Sequence, residues 1–107
     1  MPYYSKLVRD RIPEIIQAAG KKCATAVLED SEYLAQLERK LTEEWDEYLT
    51  CTDVRGQIEE LADILEVVYA IAQVKGVSIE ELEAIRAKKA EERGSFREKI
   101  LLQWVED

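Results

Sequence analysis

The stretch from Val54 to Lys75 constrains this chain most. Ile58, Leu61, Ile64, Leu65, Val67, Val68, Ile71, Ala72 and Val74 recur at helical spacings and together cover most of a helix circumference. A helix that is apolar nearly all round needs neighbours on several sides, so this segment is expected to be the most buried helix of its domain. Gly76 is its natural stop.

The flanking segments carry the same period. Leu34, Leu37, Leu41 and Tyr48 share one face of a long helix that Asp30 or Ser31 can cap and that runs to about Thr50. Only the short Cys51–Arg55 stretch separates the two, and short links between long helices make antiparallel neighbours. Pro13 and Gly20 bracket a first helix over about 12–19, with Ile12, Ile15, Ile16 and Ala19 as its stripe. Ser78 and Glu81 form a capping box for a helix that continues to about Arg93, where Gly94 ends it. Residues 22–28 read as extended or irregular, and the tail from Phe96 to Val105 as an extended arm or a short helix. Strand signals are too sparse for a sheet. The expected fold is all-α: one domain over 1–107, an antiparallel helical bundle of about four helices.

Composition narrows the chemistry. In 107 residues there are 23 acids, 15 bases and no histidine, a net charge of −8. That balance argues against nucleic-acid polymers and anionic membrane surfaces as partners. Without histidine, catalysis has to use carboxylates, Lys, Tyr, Cys or a metal. Cys23 and Cys51 have no metal-site or redox spacing and read as reduced thiols. No apolar run reaches the roughly 20 residues of a membrane span, and the opening Met1-Pro-Tyr-Tyr-Ser-Lys lacks an apolar signal core, so a cytoplasmic location is expected.

Two acids break the helical pattern. The series 34, 37, 41, 44, 48 is apolar or aromatic except at Glu44, and Glu47 follows three residues on, pointing the same way. In the next helix Glu60 lies on the stripe with Ile64, Val67 and Ile71, and Asp63 follows at the same interval. Antiparallel packing can bring the two pairs together. Buried carboxylates repel unless a positive group joins them, and an oxygen-seeking dication such as Mg²⁺, or Mn²⁺ in its place, serves. Salt bridges to Arg39, Lys40 or Arg55 are the ordinary alternative, and a solvated face is the ordinary reading of Glu43, Asp46, Glu59 and Glu66.

Glu43-Glu44-x-x-Glu47 followed by Glu60-x-x-Asp63, within Glu59-Glu60-Leu61-Ala62-Asp63-Ile64-Leu65, resembles the signature of the all-α NTP pyrophosphohydrolase superfamily, which includes MazG and the phosphoribosyl-ATP pyrophosphohydrolases. Lys6-Leu7-Val8-Arg9-Asp10-Arg11-Ile12-Pro13 and Lys88-Lys89-Ala90-Glu91-Glu92-Arg93-Gly94-x-Phe96 resemble a branch called phosphoribosyl-ATP pyrophosphohydrolase-like or predicted house-cleaning NTP pyrophosphatase, although Ser95 stands where that branch commonly has a second glycine. The resemblance implies assembly as a dimer or a dimer of dimers. It implies Mg²⁺-dependent cleavage between the α and β phosphates of a nucleotide, giving a nucleoside monophosphate and pyrophosphate. It implies Glu44, Glu47, Glu60 and Asp63 as metal ligands and Glu43 as a residue behind the ligands or a base; a carboxylate such as Glu44 or Glu47 can orient the attacking water or take its proton.

Lys6, Arg9 and Arg11 are candidate phosphate contacts, with pairing to surplus acids as the alternative. Lys88 and Arg93 are further substrate candidates, in a last helical turn where bases complement the helix dipole anyway. Trp45, Tyr48, Tyr69 and Phe96 suit either base stacking or the core. Two other functions fit the same residues: phosphoribosyl-ATP hydrolysis in histidine biosynthesis, and a non-catalytic helical dimeric adaptor.

Overall fold

Four segments have the apolar periodicity and the end signals of helices, and all four are helical in the computed structural model, which describes residues 6–107. They are α1 (Ile12–Ala18), α2 (Asp30–Thr50), α3 (Val54–Val74) and α4 (Ile79–Arg93). Among the described residues there is no strand. Among the same residues no helix is long and apolar enough to cross a membrane. The opening residues 1–5, where an apolar signal core is not expected, lie outside the described part.

The helix ends show which local rules operate. Asp53 caps α3 by accepting a hydrogen bond from the Gly56 amide at 3.0 Å. The Cys51 thiol donates to the same carboxylate, and the Gln57 side-chain amide donates to the Cys51 carbonyl. The three residues Cys51–Asp53 are thereby tied to the first turn of α3. Gly56 is part of this arrangement, because a Cβ there would stand 2.5 Å from the Cys51 sulfur. At the other end Gly76 takes φ +84°, its amide donates to the Gln73 carbonyl and the Val77 amide to Ala72, which is a Schellman termination. Ser78 caps α4 by accepting from the Glu81 amide, and its hydroxyl donates to the Glu81 carboxylate.

The expected cap of α2 is not formed. Asp30 is already helical, and Glu29 occupies the capping position without a side-chain hydrogen bond. Asp30 and Glu32 act in the first turn instead, where negative charge opposes the helix dipole.

The three-residue link folds α3 back along α2, and these two helices make the principal packing of the chain; α4 packs on α3. α1 packs on no other helix. The apolar core is small: Leu37 of α2 and Val67 of α3 are buried, with Leu34, Leu41, Tyr48, Ile64 and Ile71 half-buried around them. As expected, α3 has more buried and half-buried positions than any other helix, but in the single chain one side of it stays open. Its Val54, Ile58, Leu61 and Leu65 face outward. Residues 22–28 have no regular structure, and after one turn at Arg97–Glu98 the tail runs on as an arm without helix. The molecule measures 61 × 36 × 24 Å.

Candidate active site

Because Glu44 falls in phase with Leu37, packing the α2 stripe against α3 carries this carboxylate inward. Only 7% of Glu44 is exposed, and among the described residues it is the one charged residue that is buried. Glu47, one turn on, and Glu60 of α3 meet it. A carboxylate oxygen from each of the three lies within 4.8 Å of the others. Glu44 Oε2 and Glu60 Oε2 are buried and have no hydrogen-bond partner. A polar atom in that position normally costs free energy unless something satisfies it.

The electrostatics reflect the crowding. The side-chain contact with Glu44, followed by loss of hydration and the nearness of Glu47, pushes the Glu60 carboxyl up to about 7. One base offsets part of the charge: Lys40 lies one turn before Glu44, 3.6 Å from its Oε1 and 3.7 Å from Glu43. An ammonium at those distances leaves the inner oxygens of Glu44 and Glu60 unpartnered. The donor set consists of carboxylate oxygens alone and suits a hard dication of the Mg²⁺ or Mn²⁺ kind.

Asp63 lies outside the three-carboxylate group. It accepts a hydrogen bond from the Arg9 guanidinium, which also stands 3.9 Å from Glu66. Arg9 thus ties the segment before α1 to the acidic end of α3, a contact between residues 54 apart that no periodicity announces. Arg11 turns away to Glu14 of its own helix. Lys6 is exposed. Lys88 pairs with Glu92 on α4, and Arg93 makes no ion pair among the described residues. Since α4 does not touch α2, Lys88 and Arg93 are not gathered into the carboxylate group. Arg55 pairs with Glu59, so this acid has the ordinary partner expected for it. Trp45 and Tyr48 stack with ring centroids 5.2 Å apart, whereas Phe96 is 99% exposed and belongs to no core.

A family model described as "Phosphoribosyl-ATP pyrophosphohydrolase" matches residues 5–91, most of the chain. An uncharacterized protein of Mycolicibacterium smegmatis (strain ATCC 700084 / mc(2)155) is 49% identical over 51 residues, 48% of this chain and 51% of that protein, so the chain spans about half the length of this curated relative. No solved structure matches the chain. With helices alone, acids converging from two of them and a profile match from residue 5 to residue 91, the chain belongs to the phosphoribosyl-ATP pyrophosphohydrolase family of the all-α, MazG-like NTP pyrophosphohydrolase superfamily.

Proposed function

We propose that the chain is a metal-dependent nucleotide pyrophosphohydrolase. It cleaves a nucleoside triphosphate between the α and β phosphates and so clears unwanted nucleotides from the pool. The observation that carries the proposal is the meeting of Glu44, Glu47 and Glu60 with two buried oxygens unpartnered, in a chain of this family.

Glu44, Glu47 and Glu60 would hold Mg²⁺, or Mn²⁺ in its place, with Asp63 at the edge of the group. When bound there, the dication would supply charge stabilisation at the phosphate oxygens. Glu47, the exposed member of the three, orients the attacking water and takes its proton, and Glu43 beside it shares that role. The water oxygen bonds to phosphorus as the bridging P–O bond breaks. Pyrophosphate leaves with that bond's electron pair, and no covalent enzyme intermediate forms. Glu44 and Glu60, less accessible than Glu47, keep the site's negative charge in place. Arg9 grips a phosphate by exchanging Asp63 for it, and Lys6 and Arg11 add positive charge from the same segment. Lys88 and Arg93 serve as outer contacts to the nucleotide.

The family description supports a second substrate equally well: phosphoribosyl-ATP, whose hydrolysis breaks the same kind of bond. A screen of nucleoside triphosphates and phosphoribosyl-ATP, with and without Mg²⁺ or Mn²⁺ and with identification of both products, tests both readings. Metal-dependent pyrophosphate release from triphosphates is the expected result. Release from phosphoribosyl-ATP alone selects the second substrate. No release from any nucleotide, with no thermal shift on adding metal, leaves the non-catalytic adaptor.

A further inference from the structure

The groove between α2 and α3 has a direction. Counted from the tied link Cys51–Asp53, Glu47 comes first, then Glu44 at the level of Glu60, then Lys40 at the level of Asp63. Lys40 precedes Cys51 by eleven residues and Asp63 follows Asp53 by ten, so at about 1.5 Å per residue the two stand at nearly the same height, one turn beyond the three-carboxylate group. They also share a flank. At about 100° per residue, Lys40 lies roughly 20° from Glu47 round α2, and Asp63 roughly 60° from Glu60 round α3. In antiparallel right-handed helices a step of three residues turns towards the same side of the shared groove on both walls. Arg9, which donates to Asp63, therefore reaches the groove on the side where Lys40 stands.

The bases are unevenly spread along this groove. Lys40 is 3.6 Å from Glu44 and 3.7 Å from Glu43, with its side chain 26% exposed. Arg9 lies against the other wall, with Asp63 and Glu66. Towards the link, the residues between Glu47 and Glu60 include one base, Arg55, which is 88% exposed and paired with Glu59. A polyphosphate held at the three carboxylates through a shared cation thus finds positive charge for its remaining oxygens at the end away from the link.

We propose that Lys40 and Arg9, one from each wall, form the seat for the pyrophosphate half of the nucleotide, so that the nucleoside lies towards the Cys51–Asp53 link. This seat rests on the pyrophosphohydrolase reading above and adds to it a further substrate contact, Lys40, and a polarity along the groove. Both candidate substrates release pyrophosphate, so the seat serves either. In the empty groove Lys40 offsets the charge of Glu43 and Glu44. A dication held by Glu44, Glu47 and Glu60 would neutralise that charge and repel the ammonium, whose three donors and flexible stem can then turn to a phosphate oxygen. Arg9 makes the matching exchange from Asp63. A Lys40 that acted as a counter-ion alone would compete with the dication and give the phosphates nothing, so the two roles predict opposite signs for one variant.

Product binding tests the seat without turnover. Titration calorimetry at saturating Mg²⁺ measures pyrophosphate, and separately AMP, GMP, CMP and UMP, against the parent, Lys40→Gln, Lys40→Arg and Arg9→Gln. Lys40→Gln and Arg9→Gln are each expected to weaken pyrophosphate about tenfold or more, the scale of a charge-assisted hydrogen bond, and to leave nucleoside monophosphate affinity within about twofold. Lys40→Arg keeps the charge and should retain most of the pyrophosphate affinity. Mn²⁺ binding without phosphate, followed by electron paramagnetic resonance, should tighten in Lys40→Gln, because a competing ammonium is gone. Weaker pyrophosphate beside tighter Mn²⁺ is the expected pair of results. Pyrophosphate affinity that is unchanged or tighter in Lys40→Gln overturns the seat and leaves Lys40 a counter-ion. A loss that falls equally on the monophosphates overturns the polarity. If nucleotides are hydrolysed while pyrophosphate binding is indifferent to Lys40, the seat alone fails. If nothing is hydrolysed while the tenfold loss stands, the proposed activity fails and the pyrophosphate seat remains.

Discussion

Arg9 donates a hydrogen bond to Asp63 across 54 residues of sequence, linking the segment before α1 to the acidic end of α3. Both side chains are substantially exposed, at 57% and 39%, so the pair adds little to folding, under about 1 kcal/mol by analogy with exposed ion pairs. Arg9→Ala is expected to leave the thermal midpoint within a few degrees of the parent. If Arg9 exchanges Asp63 for phosphate, the same variant raises KM several-fold with a smaller effect on kcat. Lys6→Ala is expected to act in the same direction. An unchanged KM in both assigns these bases to ordinary charge pairing.

Glu44→Gln separates stability from activity. Glu44 is buried beside Glu47 and Glu60, so removing its charge relieves repulsion in the metal-free protein. Its thermal midpoint should rise by about 4 °C or more, the shift that about 1 kcal/mol brings in a domain near 100 residues. Turnover should fall by more than about 100-fold, a loss of roughly 3 kcal/mol or more at the transition state. Melting curves and a pyrophosphate-release assay on one preparation check both signs. A variant that is less stable and still active contradicts the assignment.

Asp63→Asn is expected to remove most activity while helical content stays near the parent. Since Arg9 holds Asp63 outside the three-carboxylate group, its loss should reduce turnover less completely than loss of Glu44. Parallel kinetics on the two variants rank them, and equal turnover with the parent excludes Asp63 from the site.

The pH dependence follows from Glu60. Its carboxyl is pushed up to about 7 from an ordinary 4.5, first by the contact with Glu44. Between those two values the unfolded chain has released this proton and the folded chain retains it, so folding stability from this group falls as pH rises from about 4.5 to about 7. In a chelator-containing buffer the midpoint should be lower at pH 7.5 than at pH 5, and Glu60→Gln should flatten the trend. Mg²⁺ or Mn²⁺ should raise the midpoint more at pH 7.5 than at pH 5, because ligation needs the deprotonated carboxylates. A metal-induced shift that is equal at both pH values argues against these ligands.

The part of the site that lies on one stripe was legible in the sequence. Glu44 shares a helical phase with Leu37, so the periodicity that buries the leucine also buries the acid. Glu60 is placed by the same logic through Ile64 and Val67. The Arg9–Asp63 pair was not legible, because a flexible side chain reaching across 54 residues leaves no repeat in the sequence. The cap at Asp53 was missed for a different reason. The Cys51–Arg55 link was read only as a short connection, whereas the thiol of Cys51 and the amide of Gly56 both use the Asp53 carboxylate. The open stripe of α3 shows the limit of a single helix pattern. Apolar residues all round a helix report that every side needs cover, without saying which chain provides it.

The tied link Cys51–Asp53 turns chain position into a ruler. Glu47 precedes it by four residues and Glu60 follows it by seven, so the meeting of their carboxylates depends on counting from a fixed bend. One residue inserted between Gly56 and Glu60 would turn every later side chain by about 100° and advance it about 1.5 Å, swinging Glu60 off the shared face and Asp63 away with it. Length variation among relatives is therefore expected before α2, beyond α3 and in the arm, while the stretch from Glu43 to Asp63 keeps its count.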